Sequence, residues 1–206
     1  QAVLKGPLTQ SPEISVVMPC LNEAAGVGAC VARALEGIAA SGLSGEVVVV
    51  DNASADGTPA YLRYVASQHP QVKVVLNAAN EGFARANNLG LSEATGDDFV
   101  LLNNDTIVTD GWLDALLAVF RDRPETGPVG AKLIYPDGRL QEAGGLVFSD
   151  GSAANIGRNG DPADPRYNFV RETDYCSGAA IAVRRSLFGE LGGFDPHYRP
   201  AYYEDT

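Results

Sequence analysis

The chain has 206 residues, 45% of them hydrophobic and 20% charged, which is enough for one large domain with a substantial core and excludes disorder. A formal net charge of -11 argues against non-specific binding to nucleic acid, because neutralising phosphates needs a basic surface. No apolar run approaches the roughly 20 residues that span a bilayer, and Cys20, Cys30 and Cys176 form no Cys-x-x-Cys pair, which points away from structural zinc and towards reduced, buried thiols in a cytoplasmic protein.

Residues 1–12 hold Pro7 and Pro12 and predict an extended lead-in. Ile14, Val16, Val17 and Met18 predict a first strand closed by Pro19. Asn22 suits a helix N-cap, and Val27, Cys30, Val31, Ala34, Leu35 and Ile38 recur at the spacings of an amphipathic helix that ends near Gly42. Four valines at 47–50 predict a strand ending at Asp51, followed by a polar turn at 52–57, a helix over 58–68 and a strand over 72–76. Alternating strands and helices predict a parallel sheet with right-handed crossovers. The unit then repeats: Asn80 and Gly82 precede a helix over 83–93, and Phe99, Val100, Leu101 and Leu102 suit a strand buried on both faces. Asp110 can cap a helix whose Trp112, Leu113, Leu116, Leu117 and Phe120 share one face.

Beyond Pro124 the rhythm changes. Residues 129–135 predict a strand, Pro136-Asp137-Gly138 a tight turn, and 146–148 a short strand. Residues 149–173 lack periodicity and predict a long irregular loop that can act as a lid. A buried strand at 179–183, a short helix at 186–191 and a turn at Gly192-Gly193-Phe194-Asp195 complete the pattern. Arg184 and Arg185 read as surface charge, and His197 as packing among tyrosines 198, 202 and 203.

The carboxyl ends of the predicted parallel strands carry polar groups, and ligands of open α/β sheets bind there. Asp105, after Asn103 and Asn104, is therefore a candidate site; a turn that folds on its own backbone is the alternative. Asp51 sits where the ribose-binding acid of a dinucleotide fold would be. The first turn, Pro19-Cys20-Leu21-Asn22-Glu23, offers no glycine to a pyrophosphate, which demotes a nicotinamide dehydrogenase and a nucleotidyltransferase alike.

Six pieces in order resemble glycosyltransferase family 2: Val16-Val17-Met18-Pro19-Cys20-Leu21-Asn22-Glu23, Val49-Val50-Asp51-Asn52-Ala53-Ser54-Ala55-Asp56-Gly57, Asn80-Glu81-Gly82-Phe83-Ala84-Arg85-Ala86-Asn87-Asn88, Leu101-Leu102-Asn103-Asn104-Asp105, Ser177-Gly178-Ala179-Ala180, and Gly192-Gly193-Phe194-Asp195 leading to Tyr203-Glu204-Asp205. The third piece is similar to the branch that includes many rhamnosyltransferases. The resemblance implies a GT-A fold, an α/β domain with a mostly parallel central sheet, helices on both faces, a Rossmann-like N-terminal half and a mixed C-terminal half. It also implies a nucleotide-sugar half at 1–110 and an acceptor half at 111–206. The implied activity is inverting transfer from a UDP- or dTDP-sugar to an acceptor hydroxyl of a saccharide or lipid-linked molecule, in polysaccharide or glycolipid synthesis.

By the same resemblance, Asp105 matches the last acid of the Asp-x-Asp element and would hold Mg²⁺ or Mn²⁺, with Asn103 replacing the first acid. Pro19, Cys20, Asn22, Glu23, Asp51, Asn52, Arg85, Asn103 and Asn104 would bind the nucleotide; Asp51 could instead cap its turn, and Arg85 could pair with Glu81 four residues earlier. Asp205 matches the general base with Glu204 beside it, and Tyr175, Ser177 and Gly178 would shape the acceptor cleft. The chain opens on Gln1 and stops at Thr206, just after this acidic pair, so a piece of a longer parent chain is expected, through which peripheral association with the inner membrane face would arise. A non-catalytic binding or scaffolding domain of the same fold is the alternative function.

Overall fold

In the computed structural model, which describes residues 1–4 and 11–198, the apolar runs become strands buried on both faces. The order is β1 (Ala2–Leu4), β2 (Ile14–Cys20), α1 (Val27–Ser41), β3 (Gly45–Asp51), α2 (Thr58–Gln68), β4 (Val72–Leu76), α3 (Gly82–Glu93), β5 (Asp98–Leu102) and α4 (Trp112–Asp122). Short strands follow: β6 (Val129–Gly130), β7 (Leu133–Ile134), β8 (Leu140–Glu142), β9 (Gly145–Val147) and β10 (Ala153–Asn155). A 3-10 turn at Pro165–Tyr167, β11 (Ala180–Arg184) and α5 (Arg185–Leu191) complete the described chain.

A seven-stranded sheet has the order β1-β4-β3-β2-β5-β11-β6. Strands β4, β3, β2 and β5 are parallel, whereas β1 and β11 run against their neighbours. The chain steps from β2 outward to β4 and returns through α3 to the other side of β2. A crevice therefore opens between the loops that follow β2 and β5. Successive side chains serve opposite layers: Val16, Met18, Val47 and Val49 pack under α1, α2 and α4, while Val17, Val48 and Val50 pack under α3 and α5. Helix α3 lies close because Gly90 has no side chain; a Cβ there would stand 2.5 Å from Val17 Cγ1 and 2.8 Å from Val50 Cγ2.

Several expectations are corrected. The extended lead-in is also paired: residues 2–4 form β1 on the sheet edge, which the sequence did not predict. Strand β2 runs through Pro19, which is tolerated because β5 pairs only with residues 14–17, leaving no ladder bond for the missing N–H to make on that side. The predicted strand at 129–135 is two pieces, and between them Lys132 Nζ donates to Pro162 O at 3.1 Å and Asn168 Oδ1 at 2.6 Å. The loop at 149–173 holds β10 and the 3-10 turn, and β10 pairs with β9 around a turn where Asp150 Oδ1 accepts from Ser152 N at 2.9 Å.

Arg184 and Arg185 are rivets between layers. Arg184 donates to the carbonyls of Phe120, Pro124 and Thr126 and lies 4.5 Å over the Phe120 ring. Arg185 donates to Ala94 and Gly96 and lies 4.6 Å over Phe99, on the opposite layer. The His197 side chain is 91% exposed and pairs with Asp195 at 2.7 Å; Tyr202 and Tyr203, two of its expected packing partners, lie outside the described residues.

At the amino edge of the parallel strands a buried network sets their heights. Glu46 is fully buried; Oε1 accepts from the Ser15 hydroxyl at 2.8 Å and the Thr95 hydroxyl at 2.9 Å, and Oε2 lies 3.2 Å from Lys73 Nζ. Burial alone pushes this carboxyl up, but hydrogen bonds from Thr95 and Ser15 and the Lys73 charge outweigh it and hold it below the usual glutamate value. A carboxyl depressed by folding contributes its stability in full above the unfolded-state value, about 4.3, and loses it as pH falls through the folded-state value. Glu46→Gln leaves Lys73 buried without its partner, so urea unfolding at pH 7 is expected to show a loss of about 3 kcal/mol. The variant's stability is expected to fall less steeply than the wild type's between pH 5 and pH 3; parallel pH profiles would contradict this assignment.

Candidate active site

Polar residues at the carboxyl edge fasten the loops to one another before any ligand is considered. Asn22, which follows β2, has a left-handed φ of 57°. Its N–H donates to Ser54 Oγ at 2.7 Å and its Oδ1 accepts from Ala55 N at 2.8 Å. Asn22 is therefore a clasp on the loop after β3 and not the cap of α1, which starts five residues later without a side-chain cap. Glu23 N donates to Thr58 Oγ1 at 2.9 Å and Ala24 N to Asp56 Oδ2 at 3.2 Å, extending the clasp. Asp110 likewise is not a cap; Gly111, at φ 73°, stands before α4.

Asp51, 2% exposed, ends β3 with Oδ2 accepting from Ser54 N at 3.2 Å. The Cys20 thiol lies 4.0 Å from Oδ1. Burial, and then the charges of Asp51, Glu23 and Asp56, push this thiol up to about 12, so it stays protonated and supplies a weak donor to the carboxylate. Pro19 is half-buried beside Val50. Asn52 is a second clip: its Oδ1 accepts from Asn77 Nδ2 at 3.2 Å and Glu81 N at 2.9 Å, and its Nδ2 donates to Asn80 Oδ1 at 2.8 Å. The loop after β4 is thereby tied to β3. Arg85 pairs with Glu81 at 3.3 Å across one turn of α3, with half of its side chain exposed.

The loop after β5 carries the less committed groups. Asn103 N and Thr106 Oγ1 donate to Ala179 O at 2.9 and 3.4 Å, which holds the loop against the start of β11. Between them, Asn104 O accepts the Cys30 thiol at 2.5 Å, whereas Asn104 Nδ2 is buried without a hydrogen-bond partner. Asp105 is exposed. Burial, then the charges of Asp105 and Glu23, raise the Cys30 thiol, so both carboxylates bear on this one spot between the loops after β2 and β5.

The structure therefore gathers Cys20, Asn22, Glu23, Asp51 and Asn52 along one set of clasped loops, with Asn103, Asn104 and Asp105 across the crevice. Ser177, whose N–H donates to Glu142 Oε1 at 3.2 Å, and the buried Gly178 lie just before Ala179; Tyr175 donates its hydroxyl to Asn155 Oδ1 at 2.6 Å. Glu204 and Asp205 lie outside the described residues. Among the described residues no three His, Cys, Asp or Glu side chains converge as a metal cage. Sequence reasoning missed Asn77 and Glu142, and it named Asn80 only as a residue before a helix and in the third family piece, without a place in the site. Asn77 and Asn80 had a signal, a polar pair just past a strand; Glu142 had none.

A family model described as glycosyl transferase family 2 matches residues 15–192. The N-acetylglucosaminyl-diphospho-decaprenol L-rhamnosyltransferase of Mycobacterium tuberculosis is 31% identical over 186 residues, covering 78% of this chain and 58% of that protein. The mannosyltransferase PcManGT from Pyrobaculum calidifontis, solved in complex with GDP-Man and Mn²⁺, superposes with a TM-score of 0.61 at 26% identity, over 91% of this chain and 49% of that one. GalNAc-T7, solved with UDP, GalNAc and Mn²⁺, superposes with a TM-score of 0.66 at 20% identity, over 94% of this chain and 38% of that one, and bears on the fold alone. The chain spans less than two thirds of each of these proteins. The mixed α/β sheet with its parallel centre is a GT-A fold, and the chain belongs to glycosyl transferase family 2.

Proposed function

We propose that this chain is a glycosyl-transferring domain that moves a sugar, with inversion, from a UDP- or dTDP-sugar to a hydroxyl of a saccharide or lipid-linked acceptor. The observation that carries this reading is the loop after β5, where a buried amide donor without a partner, Asn104 Nδ2, adjoins an exposed carboxylate, Asp105, at the switch point of the sheet. An unpartnered buried donor and a free carboxylate suit an oxygen-rich ligand with a cation, which is what a metal-bound diphosphate is. The relatives, which include a rhamnosyltransferase and a mannosyltransferase solved with GDP-Man and Mn²⁺, support the same reading.

On this reading the half at 1–110 binds the nucleotide. Asp51 accepts the ring N–H of the base from the floor of the clasped loops, Asn22 and Glu23 line the mouth, and Cys20 keeps Asp51 oriented. Arg85 is close enough in sequence to the Asn80 turn to exchange Glu81 for a phosphate. A single carboxylate, Asp105, would hold Mg²⁺ or Mn²⁺, whose other ligands come from diphosphate and water, and the ion would supply positive charge to the leaving diphosphate. Asn103 contributes no charge, so affinity for the bare ion is low. The half at 111–206 receives the acceptor at Tyr175, Ser177 and Gly178, and Asp205, steadied by Glu204, takes the hydroxyl proton as it attacks. No described helix is long and apolar enough to cross a membrane. A lipid-linked acceptor would be met at the membrane face.

Calorimetry with UDP, dTDP and GDP is expected to show Mn²⁺-dependent binding of at least one of them. Asp105→Ala is expected to weaken that binding tenfold or more while leaving the melting temperature of the free protein unchanged, because its side chain is on the surface. Tight Mn²⁺ binding in the absence of nucleotide would count against the assignment. Asp205→Asn is expected to lower transfer by about 10²- to 10⁴-fold with nucleotide affinity retained. Full transfer by this variant would remove Asp205 from the mechanism, and nucleotide binding without transfer by the wild type would favour a non-catalytic domain.

A further inference from the structure

The buried carboxylate of Glu142 has no part in the mechanism above. It ends β8 at 3% exposure, where an ionised group is costly unless it is well hydrogen-bonded. Its Oε1 accepts from Ser177 N at 3.2 Å and its Oε2 from Asn155 Nδ2 at 3.0 Å. Asn155 Oδ1 in turn accepts the Tyr175 hydroxyl at 2.6 Å. The backbone adds a second grip, since Gly145 N donates to Tyr175 O and Asp174 N to Gly145 O, both at 3.0 Å. Side chains at Gly144 and Gly145 would collide with Thr173 and the Tyr175 ring, so this approach is as close as the chain allows.

The same segment is held from its other side. Ala179 O takes the Asn103 N–H and the Thr106 hydroxyl, the two residues that flank Asn104 and Asp105. Residues 177–179 are thus suspended between Glu142 and the loop that carries Asp105. We propose that Glu142 is a positioning residue, setting the backbone at 177–179 against the loop after β5 so that a bound acceptor saccharide lies at a fixed distance from the donor. This rests on reading Ser177 and Gly178 as the acceptor side.

The role is one of hydrogen-bond geometry, which makes Gln and Met informative replacements. In Glu142→Gln the amide oxygen still accepts from Ser177 N. The new NH₂ is satisfied if the Asn155 amide turns over, because the Tyr175 hydroxyl can accept as well as donate. Glu142→Met keeps the volume and accepts neither bond.

The test uses the full chain with three donors, dTDP-rhamnose, UDP-N-acetylglucosamine and GDP-mannose, and octyl N-acetylglucosaminide as acceptor, alongside calorimetry with UDP, dTDP and GDP in Mn²⁺. For Glu142→Met, kcat/KM for the acceptor is expected to fall about ten- to a hundredfold, while nucleotide affinity and donor hydrolysis to water stay within about twofold. Glu142→Gln is expected to restore most of the transfer. Wild-type transfer rates in Glu142→Met, or nucleotide affinity lost in step with transfer, would overturn the proposal and leave the functional reading standing. Failure of the wild type to bind any nucleotide, or to transfer to the glycoside, would overturn that reading and the proposal together. Should Glu142→Met not fold, Asn155→Leu, which cuts the Tyr175 link and leaves the Ser177 bond in place, is expected to give a smaller loss of the same kind; no loss would overturn the proposal.

Discussion

Parallel pairing of β2 with β3 on one side and β5 on the other is the constraint from which the rest of the molecule follows. A strand paired on both edges and buried on both faces has to be largely apolar, and Ile14, Val16, Val17 and Met18 meet that demand with no exposed surface, while the buried hydroxyl of Ser15 is spent on Glu46. Because crossovers are right-handed, the chain that goes from β2 to β3 and the chain that arrives at β5 leave their loops on the same edge but on opposite sides of β2. The crevice is a product of connectivity. Side chains only decide what it can hold.

The two edges of the sheet are fixed by different chemistry. At the amino edge a buried ion pair, Glu46 with Lys73, joins β3 to β4, and Ser15 and Thr95 bring β2 and the end of α3 into the same network. At the carboxyl edge the fastening is mostly by neutral amides and hydroxyls, Asn22, Asn52, Ser54, Thr58, Asn77 and Asn80, with the carboxylates of Asp51 and Asp56 accepting from Ser54 N and Ala24 N. In a chain of net charge -11 this distinction matters. The neutral clasps hold the loops while adding little anionic charge beyond Asp51 and Asp56 where an anionic ligand would have to approach. Asp105 and Asp110 are the exposed carboxylates on the loop after β5.

Much of the first half was legible in the residues. Helix α2 and strand β4 match their predicted bounds because periodicity and turn residues agree there. Gly42 ends α1 in the left-handed conformation expected of it. What failed were positions whose partners are distant in sequence. Asn22 resembles a cap locally, but the backbone at Ala55 and the hydroxyl of Ser54 claim it. Arg184 and Arg185 look like surface charge until the carbonyls of two other segments and two aromatic rings are placed around them. The site shows the same division. The polar strand ends were visible as composition, whereas the vacant amide of Asn104 and the grip of Glu142 on Ser177 exist only once residues 35 or more positions apart are brought together.

The Arg184-Arg185 pair has a consequence for how the protein meets proteases. A dibasic dipeptide is an attractive cleavage site for trypsin-like enzymes, which need the chain extended and the basic side chain free to enter a pocket. Here consecutive residues point to opposite layers, each guanidinium is spent on carbonyls and a ring, and the Arg185 N–H is bonded to Asp97 O. Scission at this bond has to wait until both helical layers have lifted from the sheet. The rate of nicking there would follow the population of the globally open chain, whereas nicking at the exposed arginines of the 149–173 segment would follow local fraying.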